Sequence, residues 1–189
     1  MLQQHFLILK ILKKFIKKLK YEEYGDVFYS INITKITLMS NFLANSLLFK
    51  IQSLVDITAV DWVWYKNRFS LYYNFFSYVY NYRIFIVIPV PVFIEYPYGV
   101  GVESLSVLFS SAAWLEREIW DLFGIYFYNH LDLRRLLTDY GFMGFPFRKD
   151  FPLVGFRELR YDDTIKLIVF ENVKLSQEYR IFSFINPWK

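Results

Sequence analysis

The stretch RFSLYYNFFSYVYNYRIFIVIPVPV, residues Arg68 to Val92, decides the fold class. It carries charge only at Arg68 and Arg83 and is dominated by Tyr, Phe, Ile and Val, which favour a pleated, half-buried surface. It predicts two strands, Arg68–Tyr80 and Arg83–Val92, with Asn81–Tyr82 as a tight hairpin turn that lacks the usual glycine. Pro89 and Pro91 have no N–H to give to a ladder, which places the second strand at a sheet edge or these residues at its end. A transmembrane reading fails on length. The uncharged run Ile84–Ile94 is roughly half of the ~20 apolar residues a spanning helix needs, and Asn74 and Asn81 interrupt the run before it.

Upstream, Phe49–Asp61 reads as a further strand, Ile36–Leu48 as a helix by its apolar spacing, and Asp26–Asn32 as a short strand. His5–Lys20 has an apolar stripe of Ile8, Ile11, Leu12, Phe15, Ile16 and Leu19 beside Lys10, Lys13, Lys14, Lys17 and Lys18, and predicts an amphipathic helix. Such a helix suits a domain helix with a solvated lysine face or a membrane-surface anchor, whereas a targeting segment would prefer Arg and Ser over a face of Lys alone. Downstream of the Pro97–Gly101 loop, a helical turn is expected near Ser104–Phe109. A firmer helix follows over Ala112–Phe123, with Ser111 as N-cap and Gly124 at the left-handed C-terminal position.

After Ile125 the periodicity fades, and Asn129–Lys189 reads as a mostly extended arm. Its many Phe and Tyr residues and Trp188 imply that it lies on another protein. The expected architecture is α+β: a two-layer domain over residues 1–128, with an antiparallel sheet of about four strands packed by helices. Residues 129–189 form the C-terminal arm.

The chain has 189 residues, 55% of them hydrophobic and 22% aromatic, enough for a real core and more apolar than a free monomer needs. It has no cysteine and only two histidines, which excludes disulfides, thiolate zinc sites and cysteine-ligated iron–sulfur clusters on this chain. The net charge of +4 is concentrated in six lysines among the first 20 residues; the rest is nearly balanced, without a broad basic face for nucleic acid.

Two chemical readings fail on their own motifs. Gly99-Val100-Gly101-Val102-Glu103-Ser104 imitates a dinucleotide loop, but Ser104 stands where the third glycine belongs and no buried strand precedes it. His130 lies near Asp132 and Asp139, but no nucleophile accompanies them in a recognisable motif. The mixed charges of residues 130–163 suit planar Arg forks on carboxylates that pin an irregular backbone at a protein contact.

The run Glu116-Arg117-Glu118-Ile119-Trp120-Asp121-Leu122-Phe123-Gly124 resembles the signature of the thirty-kilodalton subunits of respiratory complex I. The likeness continues through His130-Leu131-Asp132-Leu133-Arg134-Arg135-Leu136-Leu137-Thr138-Asp139-Tyr140-Gly141-Phe142 and through Gly144-Phe145-Pro146-Phe147-Arg148-Lys149-Asp150-Phe151-Pro152-Leu153. Leu54–Asp61, Arg160–Asp163, Gln177–Arg180 and Pro187-Trp188 are similar to other parts of that family, as is Leu12–Lys18, which favours a retained domain helix over a cleavable presequence. One departure is Phe145, where the family usually has His; another is Phe147, where it usually has Leu.

The resemblance implies a non-redox subunit of the peripheral arm of NADH:ubiquinone oxidoreductase, packed on the forty-nine-kilodalton subunit and near the iron–sulfur subunits. NADH, FMN, iron–sulfur clusters and ubiquinone would then sit on other subunits. No catalytic, cofactor or metal residue is expected here. The interface would be carried by Glu116, Arg117, Glu118, Asp121, His130, Asp132, Arg134, Arg135, Asp139, Arg148, Lys149 and Asp150. The implied location is the matrix side of the mitochondrial inner membrane. Zero Cys, few Ala and abundant Phe, Tyr, Ile and Asn suggest AT-biased coding in the mitochondrial genome. The alternative is a peripheral protein held at a membrane surface by the Lys-rich helix.

Overall fold

The computed structural model describes residues 16–21, 27–91, 101–186 and 188. The chain divides into two compact units, Met1–Phe151 and Pro152–Lys189. In the first, five strands form a sheet: β1 (Ile16–Tyr21), β2 (Val27–Ile31), β3 (Ser53–Asp61), β4 (Phe69–Ser77) and β5 (Tyr82–Val90), in the order β1-β2-β5-β4-β3. The meander β3–β4–β5 is antiparallel throughout, and β2 joins it parallel to β5, with Phe28 opposite Phe85.

Alternation along the strands puts Leu71, Tyr73 and Phe75 of β4 and Ile84, Ile86 and Ile88 of β5 in one buried face. Two helices, α1 (Ile36–Asn45) and α2 (Ala112–Phe123), bury Ile36, Met39 and Leu43, and Ala112, Ile119 and Leu122, in the same core. Sheet on one side and helices on the other make the expected two-layer α+β domain.

Helix α2 spans the expected residues, and Gly124 closes it at φ 73°, its N–H bonded to the Trp120 carbonyl. Ser111 does not cap it. Its backbone is itself α-helical, and its hydroxyl donates instead to the Leu54 carbonyl at 2.7 Å, tying the start of the helix to β3. Between β4 and β5 the turn is Tyr78–Asn81, not Asn81–Tyr82. Asn81 takes the left-handed conformation at φ 51°, and Tyr82 already pairs with Ser77. Pro89 pairs with Ser70 beyond Val87, the last residue of β5 that faces β2, so the missing N–H falls at the strand's end although β5 is central.

The helix expected over His5–Lys20 does not run through its last turn. Ile16–Tyr21 is β1, paired antiparallel with β2, and residues 5–15 lie outside the described residues. Helix propensity is a weak local preference, and a neighbouring strand that satisfies the same backbone groups overrides it.

Short strands β6 (Val102–Glu103) and β7 (Phe127–Tyr128) pair parallel in the first unit, with Val102 and Phe127 buried in its core. The second unit contains a hairpin that periodicity did not disclose, β8 (Arg157–Asp162) and β9 (Leu167–Asn172). Its turn has no glycine, and Lys166 supplies the positive φ at 56°. Leu159 faces Phe170 and Tyr161 faces Ile168 on one side. On the other, Arg160 bridges Glu171 and Asp162.

Candidate functional site

The centre of the site is Asp121, fully buried near the end of α2. Its Oδ2 accepts the main-chain N–H groups of Leu136 at 3.1 Å, Leu137 at 2.6 Å and Thr138 at 2.8 Å. Its Oδ1 accepts the Thr138 hydroxyl at 2.6 Å and Arg135 Nη1 at 3.0 Å. Burial pushes the carboxyl up, but the Thr138 hydroxyl and the row of N–H donors outweigh it and hold Asp121 below the usual carboxylate range. One carboxylate thus fixes a loop with little regular structure. Arg135 extends the hold by donating Nη2 to the Gly144 carbonyl at 2.9 Å, and Arg117 donates to the carbonyls of Arg134 and Arg135.

A second anchor joins the far end of the loop to the sheet. Arg68, at the start of the β3–β4 connection's return, forks onto Asp61 with Nε at 2.7 Å and Nη2 at 2.8 Å, and onto Asp150 with Nη1 at 2.9 Å. The Lys149 N–H donates to Asp61 Oδ2 at 2.9 Å. Asp61 lies below the usual range although burial opposes it, because Arg68 and the Lys149 N–H favour the charged form; Asp150 is lowered chiefly by Arg68.

Between these anchors Arg148 donates Nε to the Phe123 carbonyl at 2.6 Å. Its guanidinium lies 4.5 Å from the centre of the Phe145 ring and 5.4 Å from that of Phe69. Arg135 approaches the same Phe145 ring at 5.1 Å, and Trp120 packs beside it. A side chain at Gly124 would meet both Arg148 and Phe145 at 2.6 Å, so the helix-ending glycine also admits this close packing.

Glu116 points the other way, into the core. It accepts the Ser104 hydroxyl at 2.5 Å and the Leu105 N–H at 2.7 Å. Burial lifts its pKa to about 7, against the lowering effect of those two donors. His130 donates from Nε2 to the Ala113 carbonyl at 3.1 Å and accepts the Asp132 N–H at Nδ1, with Glu116 3.9 Å from Nε2. These contacts suit a histidine that closes a turn on the helix.

The expected residues therefore separate into groups. Asp121, Arg135 and Arg117 hold the first half of the loop, Arg148 and Asp150 the second half, and Glu116 and His130 the core side. Asp132 and Arg134 form an exposed pair, and Asp139 caps its own turn, its side chain accepting the Tyr140 N–H and its carbonyl the Phe142 N–H. Glu118 is exposed, with no ion pair among the described residues. Asp61 and Arg68 were missing from the expected set; their only sequence signal is that they bracket an aromatic connection between two strands. Gly101 has a packing role, since a Cβ there would meet the Tyr128 ring at 2.6 Å and the Tyr126 carbonyl at 2.9 Å.

Residues 29–157 match the profile of the respiratory-chain NADH dehydrogenase 30 kDa subunit. The chain is 45% identical over 185 residues to NADH-ubiquinone oxidoreductase subunit 9 of Acanthamoeba castellanii, covering 97% of this chain and 91% of the relative. It is 43% identical over 182 residues to the protein of the same name from Reclinomonas americana, covering 96% of this chain and 86% of the relative. Among solved structures, the trypsin-resistant fragment of Nqo5 superposes with a TM-score of 0.55 at 25% identity, over 70% of this chain and all of that one. A chain of an archaeal membrane-bound sulfane sulfur reductase shares the fold at TM-score 0.66 and 20% identity, over 80% of this chain and 87% of that one.

These matches place the protein in a class of subunits of respiratory NADH dehydrogenases. Within that class, the chain belongs to the family of the 30 kDa subunit. Among the described residues no helix is long and apolar enough to cross a membrane, and no cluster of His, Cys, Asp or Glu could hold a metal ion.

Proposed function

We propose that this chain is a non-redox structural and assembly subunit in the peripheral arm of NADH:ubiquinone oxidoreductase. In that role it supports electron transfer from NADH to ubiquinone, coupled to proton pumping by the whole complex. NADH, FMN, the iron–sulfur clusters and ubiquinone would be held by neighbouring subunits, with the forty-nine-kilodalton subunit as its chief partner. The complex would lie in the mitochondrial inner membrane with this chain on the matrix side, made from a mitochondrial gene. The segment from residue 129 onward is the docking arm in this reading.

One observation carries the proposal. The signature's buried carboxylate and its guanidinium groups hold the chain's own backbone, while Leu137, Tyr140, Met143 and Phe147 of the same loop face outward. A backbone fixed from within and apolar side chains turned out suit docking, because the conformational entropy of the loop is already lost before a partner arrives. Asp121 and Arg135 are committed to main-chain groups, so they support shape more than reaction.

The test is charge reversal at Arg148 or Asp150, followed by native purification with identification of the co-purifying chains. The expected result is less assembled complex with unchanged turnover per assembled complex. Full assembly with lost turnover would assign these residues to quinone chemistry instead.

A further inference from the structure

The connection between β3 and β4 carries an aromatic cluster held away from the domain. Trp62, Val63, Trp64, Tyr65 and Lys66 are all exposed, Trp64 at 94%. The cluster is nevertheless ordered by its base. The Trp62 N–H donates to the Arg68 carbonyl at 2.6 Å, the Tyr65 N–H to the Trp62 carbonyl at 3.0 Å, and the Trp62 and Tyr65 rings meet edge to face at 5.8 Å. Directly below, the Asp61–Arg68 fork locks both ends of the turn.

Charge follows the same geometry. Asp61 and Asp150, the acids beside this turn, are taken up by Arg68, and the Lys149 backbone is bonded to Asp61. The ammonium groups of Lys66 and Lys149 are exposed, with no carboxylate partner among the described residues. The result is a rigid aromatic centre with a positive rim. Trp and Tyr dominate the energetics of protein interfaces when they enter desolvated pockets, and surrounding charges select the partner.

The geometry points to the Trp62–Lys66 turn, with Lys149, as a docking surface for a neighbouring protein subunit that presents an apolar pocket rimmed by carboxylates. This rests on the subunit role proposed above and names the chemistry of one partner surface. Trp, Tyr and Lys also suit a lipid headgroup layer. A fluid layer, however, makes no use of a turn fixed by a forked guanidinium and two main-chain hydrogen bonds, whereas a shaped pocket does.

The test uses the native complex. Hydroxyl-radical footprinting compares oxidation of Trp64 in the assembled complex and after chaotropic dissociation, and a zero-length carbodiimide cross-linker reports carboxylates touching Lys66 and Lys149. The expected result is loss of Trp64 oxidation in the complex, its return on dissociation, and links from both lysines to Asp or Glu of one neighbouring subunit. Equal oxidation in both states overturns the inference, as does protection that disappears when the intact complex is stripped of lipid, or the absence of links to protein carboxylates. If the chain does not co-purify with the complex at all, the subunit role itself fails, and that is seen before footprinting begins.

Discussion

Arg68 and Asp150 stand 82 positions apart in the chain and meet fork to fork, Nη1 to Oδ2 at 2.9 Å and Nη2 to Oδ1 at 2.8 Å. The same guanidinium spans Asp61, whose side chain is fully buried. Replacing Arg68 by Leu leaves that carboxylate without its counter-ion, a loss of about 3–5 kcal/mol. Arg68→Lys should recover only part of it, because a single ammonium cannot fork onto two carboxylates. Thermal unfolding of the two variants checks the ranking, and a Leu variant as stable as the parent would refute the clamp.

The bonded acids predict opposite pH responses. Asp61, Asp121 and Asp150 have folded pKa values below the usual range, so the stability they contribute is present above their unfolded pKa of about 3.9 and is lost as pH falls through the folded values. Glu116 is raised to about 7, so its contribution is complete below about 4.3 and is lost as pH rises through 7. Glu116→Gln keeps an acceptor for the Leu105 N–H and removes the buried charge. Its stability should exceed the parent's at pH 8 by about 2–4 kcal/mol, with little difference near pH 4. Denaturation series at the two pH values measure this, and identical pH profiles would contradict it.

Phe145 sits under two guanidinium groups, Arg135 at 5.1 Å and Arg148 at 4.5 Å. An imidazole placed there by Phe145→His is repelled by both once it is protonated, so its folded pKa falls below the ordinary value of about 6.5. The sign is that of a depressed base: the variant keeps its stability above about pH 6.5 and loses it as pH drops below that value. The parent lacks this particular titration. The gap between the melting temperatures of the two proteins should stay constant near pH 8 and widen towards pH 5.5.

What could be read in the sequence was local. Helix α2 was legible over its full length, because its apolar spacing ends at a glycine. The meander was legible because strand-forming residues dominate residues 69–90. The helix proposed over His5–Lys20 failed at Ile16–Lys20, where the same Ile and Lys spacing serves a strand once β2 lies beside it. In the site, Asp121 and Arg135 stood in a recognisable signature, but nothing local tells that one carboxylate collects three successive main-chain N–H groups. Asp61 and Arg68 were invisible for a related reason: the partner that gives them meaning, Asp150, is distant in sequence and near only in the fold.

The parallel pairing of Phe28 with Phe85 sets an order for synthesis. β2 leaves the ribosome well before β5, and between them β3 and β4 can already close as a neighbouring hairpin, a fast contact to which β5 adds as soon as it follows. The N-terminal strands therefore wait unpaired with β5 until translation has passed Val90, and the sheet is completed from its middle outward. Protease digestion of ribosome-stalled chains should find β1 and β2 cleavable when the chain ends before Tyr82 and protected once β5 has emerged. Early protection would mean that the first hairpin folds on its own and recruits the rest.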